Sequence, residues 1–264
     1  MISSPARLHY VLRTVCAMCF IGHGAFGIIT KQIWCNYFGV FGIGEQTSYQ
    51  LMPWVGVFDI VMGFLMIVYP MRFVAMWLVL WGFFTALLRP LSGEFFAEFL
   101  ERAGNFGAPL LLLMFSNDRS FRNYFSRIEP SETLDQSDLE KFTKWIQAIA
   151  STLLVGHGWL NLIGKTGLVK QYVSIGFDHP ELTAHVIGVC EILAAVIIAV
   201  RPVRQLVLVV FVWKMGSELF YPAHELFEWV ERGGSYGVLL ALWLVLKEKA
   251  SLSSLHSSLQ PVKV

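Results

Sequence analysis

Two histidine–carboxylate couples stand out in a chain otherwise poor in charge. His23 is followed 36 residues on by Asp59, and His157 is followed 34 residues on by Glu191. All four lie inside long apolar runs. Each histidine is flanked by glycine, in Phe20-Ile21-Gly22-His23-Gly24 and again in Leu154-Val155-Gly156-His157-Gly158. An ionised side chain in hydrocarbon is costly and turns inward to find a partner, and an isolated buried carboxylate tends to take up a proton instead. Pairing His23 with Asp59, and His157 with Glu191, answers both costs locally. A histidine whose tautomer is set by a carboxylate can exchange a proton near neutral pH. The flanking glycines let another helix, or a flat ligand, come close to the imidazole.

Further candidates lie at a similar depth. Trp81 and Trp213 each stand nine residues before a proline, Pro90 and Pro222, and can stack on a ring or pack in the core. Lys214 and Glu218 are four apart, share a helix face and can neutralise each other. Arg89 sits where headgroups are expected. Three readings fit these residues. The couples can be polar glue between helices. They can face a pocket in the outer half of the membrane for a quinone or another apolar redox partner. Or His23 and His157 can be the two axial ligands of a haem. Zinc or di-iron needs more ligands than one half supplies. Cys16 and Cys19, three apart in one apolar run, read as buried packing, and no disulfide framework is present. No nucleotide-binding loop, HExxH or serine elbow occurs.

The elements that must position these groups follow from composition. The 264 residues are 55% hydrophobic and only 15% charged, against about 25% charged in a soluble domain. With a formal net charge of +1 and scattered basic residues, nucleic-acid binding is not expected. The apolar residues come in blocks suited to a bilayer, which needs about 20 per helix. They predict an all-α polytopic transmembrane bundle of eight helices, near 10–30, 51–69, 73–88, 105–115, 145–163, 182–200, 203–220 and 236–246. The first reads as a permanent helix rather than a removed signal. Residues 93–102 set Phe95, Phe96, Phe99 and Leu100 against Glu94, Glu98, Glu101 and Arg102, which predicts a short helix in the interface plane.

The chain repeats itself. His157 follows His23 by 134 residues. Glu191, Arg204 and Trp213 follow Asp59, Arg72 and Trp81 by 132, and Glu231-Arg232 follows Glu101-Arg102 by 130. Two four-helix membrane repeats result, residues 1–117 and 144–248, with a polar cytoplasmic linker at 118–143 and a flexible tail at 249–264. An even number of spans per half makes the repeats parallel. With the N-terminus inside, thirteen of the twenty Lys and Arg fall on the inner side, which supports N-in and C-in by the positive-inside rule. At 1.5 Å per residue both histidines and both carboxylates then lie roughly 10–12 Å in from the outer surface.

Arg13 followed by Gly22-His23-Gly24 resembles the first helix of the DoxX-like family of small membrane proteins. Gly56-Val57-Phe58-Asp59-Ile60-Val61-Met62-Gly63 with Arg72 is similar to the second-helix signature of that family. Asp59 stands where the family usually has Glu, and Glu191 is the closer match. The second half has Ala195 in place of the second glycine. The resemblance covers roughly 10–115 and 145–247. It implies a bacterial inner-membrane protein tied to quinone-linked redox work with other membrane or periplasmic subunits. Other family members imply a non-catalytic chaperone or scaffold role.

Overall fold

The computed structural model describes residues 4–114, 123–130, 136–222 and 224–259. Among these there is no sheet, only an isolated antiparallel bridge between Met71 and Arg127. The helices are α1 (Ser4–Ile28), α2 (Trp34–Gly39), α3 (Glu45–Val68), α4 (Arg72–Leu91), α5 (Phe96–Glu101) and α6 (Ala103–Met114). There follow α7 (Gln136–Leu162), α8 (Thr166–Ile175), α9 (Pro180–Val200), α10 (Arg204–Ser217), a 3-10 turn at Glu218–Phe220, α11 (Leu226–Glu231) and α12 (Gly233–Leu259).

Four helices, α1, α3, α4 and α9, are long and apolar enough to cross a membrane, and α7 with α8 makes a fifth if the pair, bent by 85°, is one span. The apolar blocks predict eight membrane helices, of which the fourth, near 105–115, is short. The shortfall has a physical cause. α10 has 14 residues, short of the roughly 20 that the hydrocarbon core requires, and α6 is described over 12. α12 has the length, but Lys247, Glu248 and Lys249 interrupt its apolar stretch. The helix nevertheless continues to Leu259, so residues 249–259 are helix where a flexible tail is expected. α7 starts at Gln136 rather than near Trp145. Leu139, Phe142 and Ile146 are buried at helical spacing while Glu140, Lys141 and Lys144 face out, and that amphipathic start carries the helix into the polar segment. Residues 118–122, with Arg119 and Arg122, and 131–135 of the expected linker lie outside the described residues.

Small residues set the closest helix contacts. A Cβ added to Gly56 in α3 would lie 2.5 Å from the Gly24 carbonyl oxygen in α1, and one on Gly188 in α9 would lie 2.7 Å from that of Gly158 in α7. Backbones meeting this closely are the usual packing device of membrane helices. The apolar core around Leu12, Phe20, Leu78, Leu111, Leu154 and Leu242 also buries Cys16 and Cys19, both free thiols.

α5 corrects an expectation. It is a short helix, but it does not present its charges to water. Glu98, Glu101 and the following Arg102 are buried, while Phe95 and Phe96 are exposed. α11 does the same, with Glu228 and Glu231 buried and Leu226 and Phe227 exposed. In a lipid setting an amphipathic helix turns its polar side inward.

Candidate functional site

The structure brings each couple together. His23 Nδ1 donates to Asp59 Oδ2 at 2.7 Å, and His157 Nδ1 donates to Glu191 Oε2 at 2.6 Å. The glycine contacts between α1 and α3, and between α7 and α9, bring the side chains within reach. Asn161 Nδ2 adds a bond to Glu191 Oε2 at 3.1 Å, and Tyr172 donates to Asn161 Oδ1 at 2.8 Å. Trp34 lies over the His23 ring, with centroids 4.7 Å apart.

Beyond that shared bond the two histidines diverge. His23 lines a cavity of about 140 Å³ whose walls include the aromatic rings of Trp34, Tyr37, Phe38, Phe41, Trp81 and Phe84 together with the polar Arg89, Arg102, Asn105 and Glu231. Its side chain is 18% exposed, against 2% for His157. Since Asp59 holds Nδ1, Nε2 is the ring nitrogen left for an occupant. At His157 the corresponding nitrogen already faces a carboxylate, with Nε2 3.3 Å from Glu218 Oε1. Glu218 is in turn ion-paired to Lys214, and both are buried.

Each histidine also borrows from the opposite half of the chain. A Cβ on Gly22 would run into the backbone of Glu231, and one on Gly156 into that of Glu101. Glu231 therefore forms part of the His23 cavity, where its Oε1 accepts from Asn105 Nδ2 at 3.0 Å. On the other side Glu101 accepts from Arg232 at 2.6 Å and from Arg102 at 3.1 Å, with Lys165 at 3.8 Å. Burial alone would raise the Glu101 carboxyl, but the charges of Arg232, Lys165 and Arg102 outweigh it and hold it well below the usual carboxylate range.

Of the remaining candidates, Trp81 and Arg89 line the His23 cavity. Arg89 reaches Glu94 at 3.2 Å and Glu98 at 3.7 Å, so it serves the internal network rather than headgroups. Trp213 packs against a cluster that holds Leu160, Leu168, Tyr172 and Tyr221. Sequence reasoning did not find Tyr37, which donates to Glu94 at 2.6 Å, nor Asn105 or Glu231. The recurrence of Glu101-Arg102 as Glu231-Arg232 was the available signal for the last. Among the described residues no group of three or more His, Cys, Asp or Glu is placed to hold a metal ion. No protein-family model, no curated protein and no solved structure matches the chain. What the fold supports on its own is an integral membrane protein in general, all-α, with four long apolar helices.

Proposed function

We propose that the chain is an integral-membrane subunit of a redox system and that the His23 cavity takes a quinone-like lipophilic ring. The observation that carries the reading is a ring-sized aromatic cavity with a carboxylate-backed imidazole in its wall. A dry cavity of about 150 Å³ holds benzene, and the volume beside His23 is about 140 Å³. Trp34 and Trp81 stand in its wall, where an indole can pack against a ring. Asp59 keeps the Nδ1 proton and stabilises the imidazolium, so Nε2 can give a proton to, or take one from, a ligand oxygen. A bound quinone would supply the electron-transfer chemistry.

The wider reading is two parallel four-helix membrane repeats of the DoxX-like kind, residues 1–117 and 144–248, with N- and C-termini cytoplasmic in a bacterial inner membrane. It is supported by the paired contacts at Gly24/Gly56 and Gly158/Gly188 and by the two inward-facing short helices. The partners in this reading are membrane lipid and other membrane or periplasmic redox subunits. The haem alternative puts an axial bond on each histidine. It fits less well, because both ring nitrogens of His157 face carboxylates.

Titrating the detergent-solubilised protein with a short-tailed benzoquinone, read by tryptophan quenching, tests the proposal. One site is expected. His23→Ala should weaken binding about 10–100-fold, since a hydrogen bond to a charged group contributes about 1.5–3 kcal/mol. Asp59→Asn, which keeps shape but loses charge, should fall between. Unchanged affinity in a folded His23→Ala protein would leave the couple as structural glue in a scaffold subunit. A Soret band lost in both His23→Ala and His157→Ala would favour haem.

A further inference from the structure

The two halves share element boundaries. α4 opens at Arg72 and α10 at Arg204, 132 residues apart, and α3 and α9 end at Val68 and Val200 with the same separation. In that register Gly82 corresponds to Lys214 and Ala86 to Glu218. The first half thus has two of the smallest residues where the second has a long cation and a long anion. Gly82 lines the His23 cavity, and a Cβ placed on it would meet nothing nearer than 3.4 Å. Lys214 and Glu218 are both about 1% exposed, and the Glu218 carboxylate lies against His157 Nε2. α10 ends at Ser217 and tightens into a 3-10 turn at Glu218, whereas α4 runs on as α-helix to Leu91.

We propose that the second half carries a closed copy of the His23 site, occupied by its own Lys214–Glu218 pair, and that Glu218 shows what the open site binds. In the closed copy a carboxylate oxygen stands 3.3 Å from the Nε2 of a histidine whose Nδ1 is held by an acid. In the open copy the occupant presents an oxygen acceptor to His23 at the equivalent place. The ligand class is a ring bearing a carbonyl or phenolate oxygen. This identification of the ligand rests on the quinone reading above, but the closure of the second site does not.

Exchanging the two pairs of residues tests both parts. Diethyl pyrocarbonate modifies accessible imidazole, and mass spectrometry reads each histidine separately. The native protein should be modified at His23 and protected at His157. Lys214→Gly with Glu218→Ala should expose His157, and Gly82→Lys with Ala86→Glu should protect His23. Short-tailed benzoquinone should bind once to the native protein, twice to the opened variant and not at all to the closed one. An oxygen-free alkylbenzene of the same size should bind about tenfold more weakly or worse. Should the opened variant fail to fold, the closed variant and the native protein still decide the matter. Continued protection of His157 in a folded opened variant, or continued modification of His23 in the closed one, overturns the closed-copy proposal. Equal binding of the alkylbenzene overturns the oxygen requirement. If the histidines exchange reactivity as described but no quinone binds, the closed copy stands and the quinone reading fails.

Discussion

Glu101→Ala should lower the unfolding free energy by about 3–5 kcal/mol, the cost of removing one partner from a buried ion cluster. Three cations lose their shared anion at once. Arg232 at 2.6 Å, Arg102 at 3.1 Å and Lys165 at 3.8 Å all address this carboxylate. Arg102 and Lys165 keep Glu98, at 2.8 and 2.7 Å. Arg232 keeps longer ion pairs, 3.9 Å each to Glu218 and Glu228, and the Tyr221 ring 4.0 Å from its guanidinium. Denaturant unfolding in detergent micelles measures the loss. Replacing Glu101 and Arg232 together by apolar residues of similar size should cost less than Glu101→Ala alone, because no charge is then stranded. A Glu101→Ala protein within about 0.5 kcal/mol of native would mean that water reaches the cluster and screens it. The pH dependence follows from the direction of the shift. The folded carboxyl is held below its ordinary value of 4.5, so its contribution is present in full above that value. It is lost only as the pH falls through the lower, folded value. Stability should therefore be insensitive to this group at neutral pH.

That cluster also marks where sequence reasoning reaches its limit. The long apolar runs and the two glycine-flanked histidines are legible because length, hydropathy and small residues act locally. The partners of His23 and His157 are legible because a carboxylate in hydrocarbon has few ways to be satisfied. Residues 93–102 were not legible in the same way. Their pattern of phenylalanines against glutamates is real, but it suits a helix lying on the membrane and equally one turning its charges into a bundle. Periodicity separates the two faces without saying which is inside. Glu231 shows a second limit. Its repeat partner Glu101 is visible in the sequence, yet nothing local says that each carboxylate crosses to the histidine of the opposite half. That exchange depends on how α5 and α11 dock on Gly156 and Gly22, a long-range packing outcome. The contrast between the open and closed sites rests on Gly82 and Ala86 against Lys214 and Glu218, and small residues at those positions do not by themselves announce a cavity.

The crossing of α6 and α12 joins the fold to the site, and the second large effect is expected there. A Cβ on Gly104 would lie 2.7 Å from the carbonyl carbon of Gly234 and from the nitrogen of Ser235. One on Gly234 would lie 2.7 Å from the Gly104 carbonyl oxygen. Backbone cannot rotate away as a side chain can, so the helices must part. Gly104→Val and Gly234→Val should each cost about 1–3 kcal/mol or more, the range for overpacking. The displaced residues are the neighbours of Asn105, whose amide holds Glu231 in the wall of the His23 cavity at 3.0 Å. Quinone affinity should therefore fall in the same variants, although neither glycine lines the cavity. Because both substitutions open one and the same gap, the second should cost less than the first. The double variant then falls short of additivity, as expected for residues in contact. Gly216→Ala is the control. Its added Cβ meets nothing within 4 Å, and alanine in a helix is favoured over glycine by about 1 kcal/mol, so that protein should be as stable as the native one or more so. Additive losses at Gly104 and Gly234, with quinone affinity untouched, would show that the two helices do not meet there.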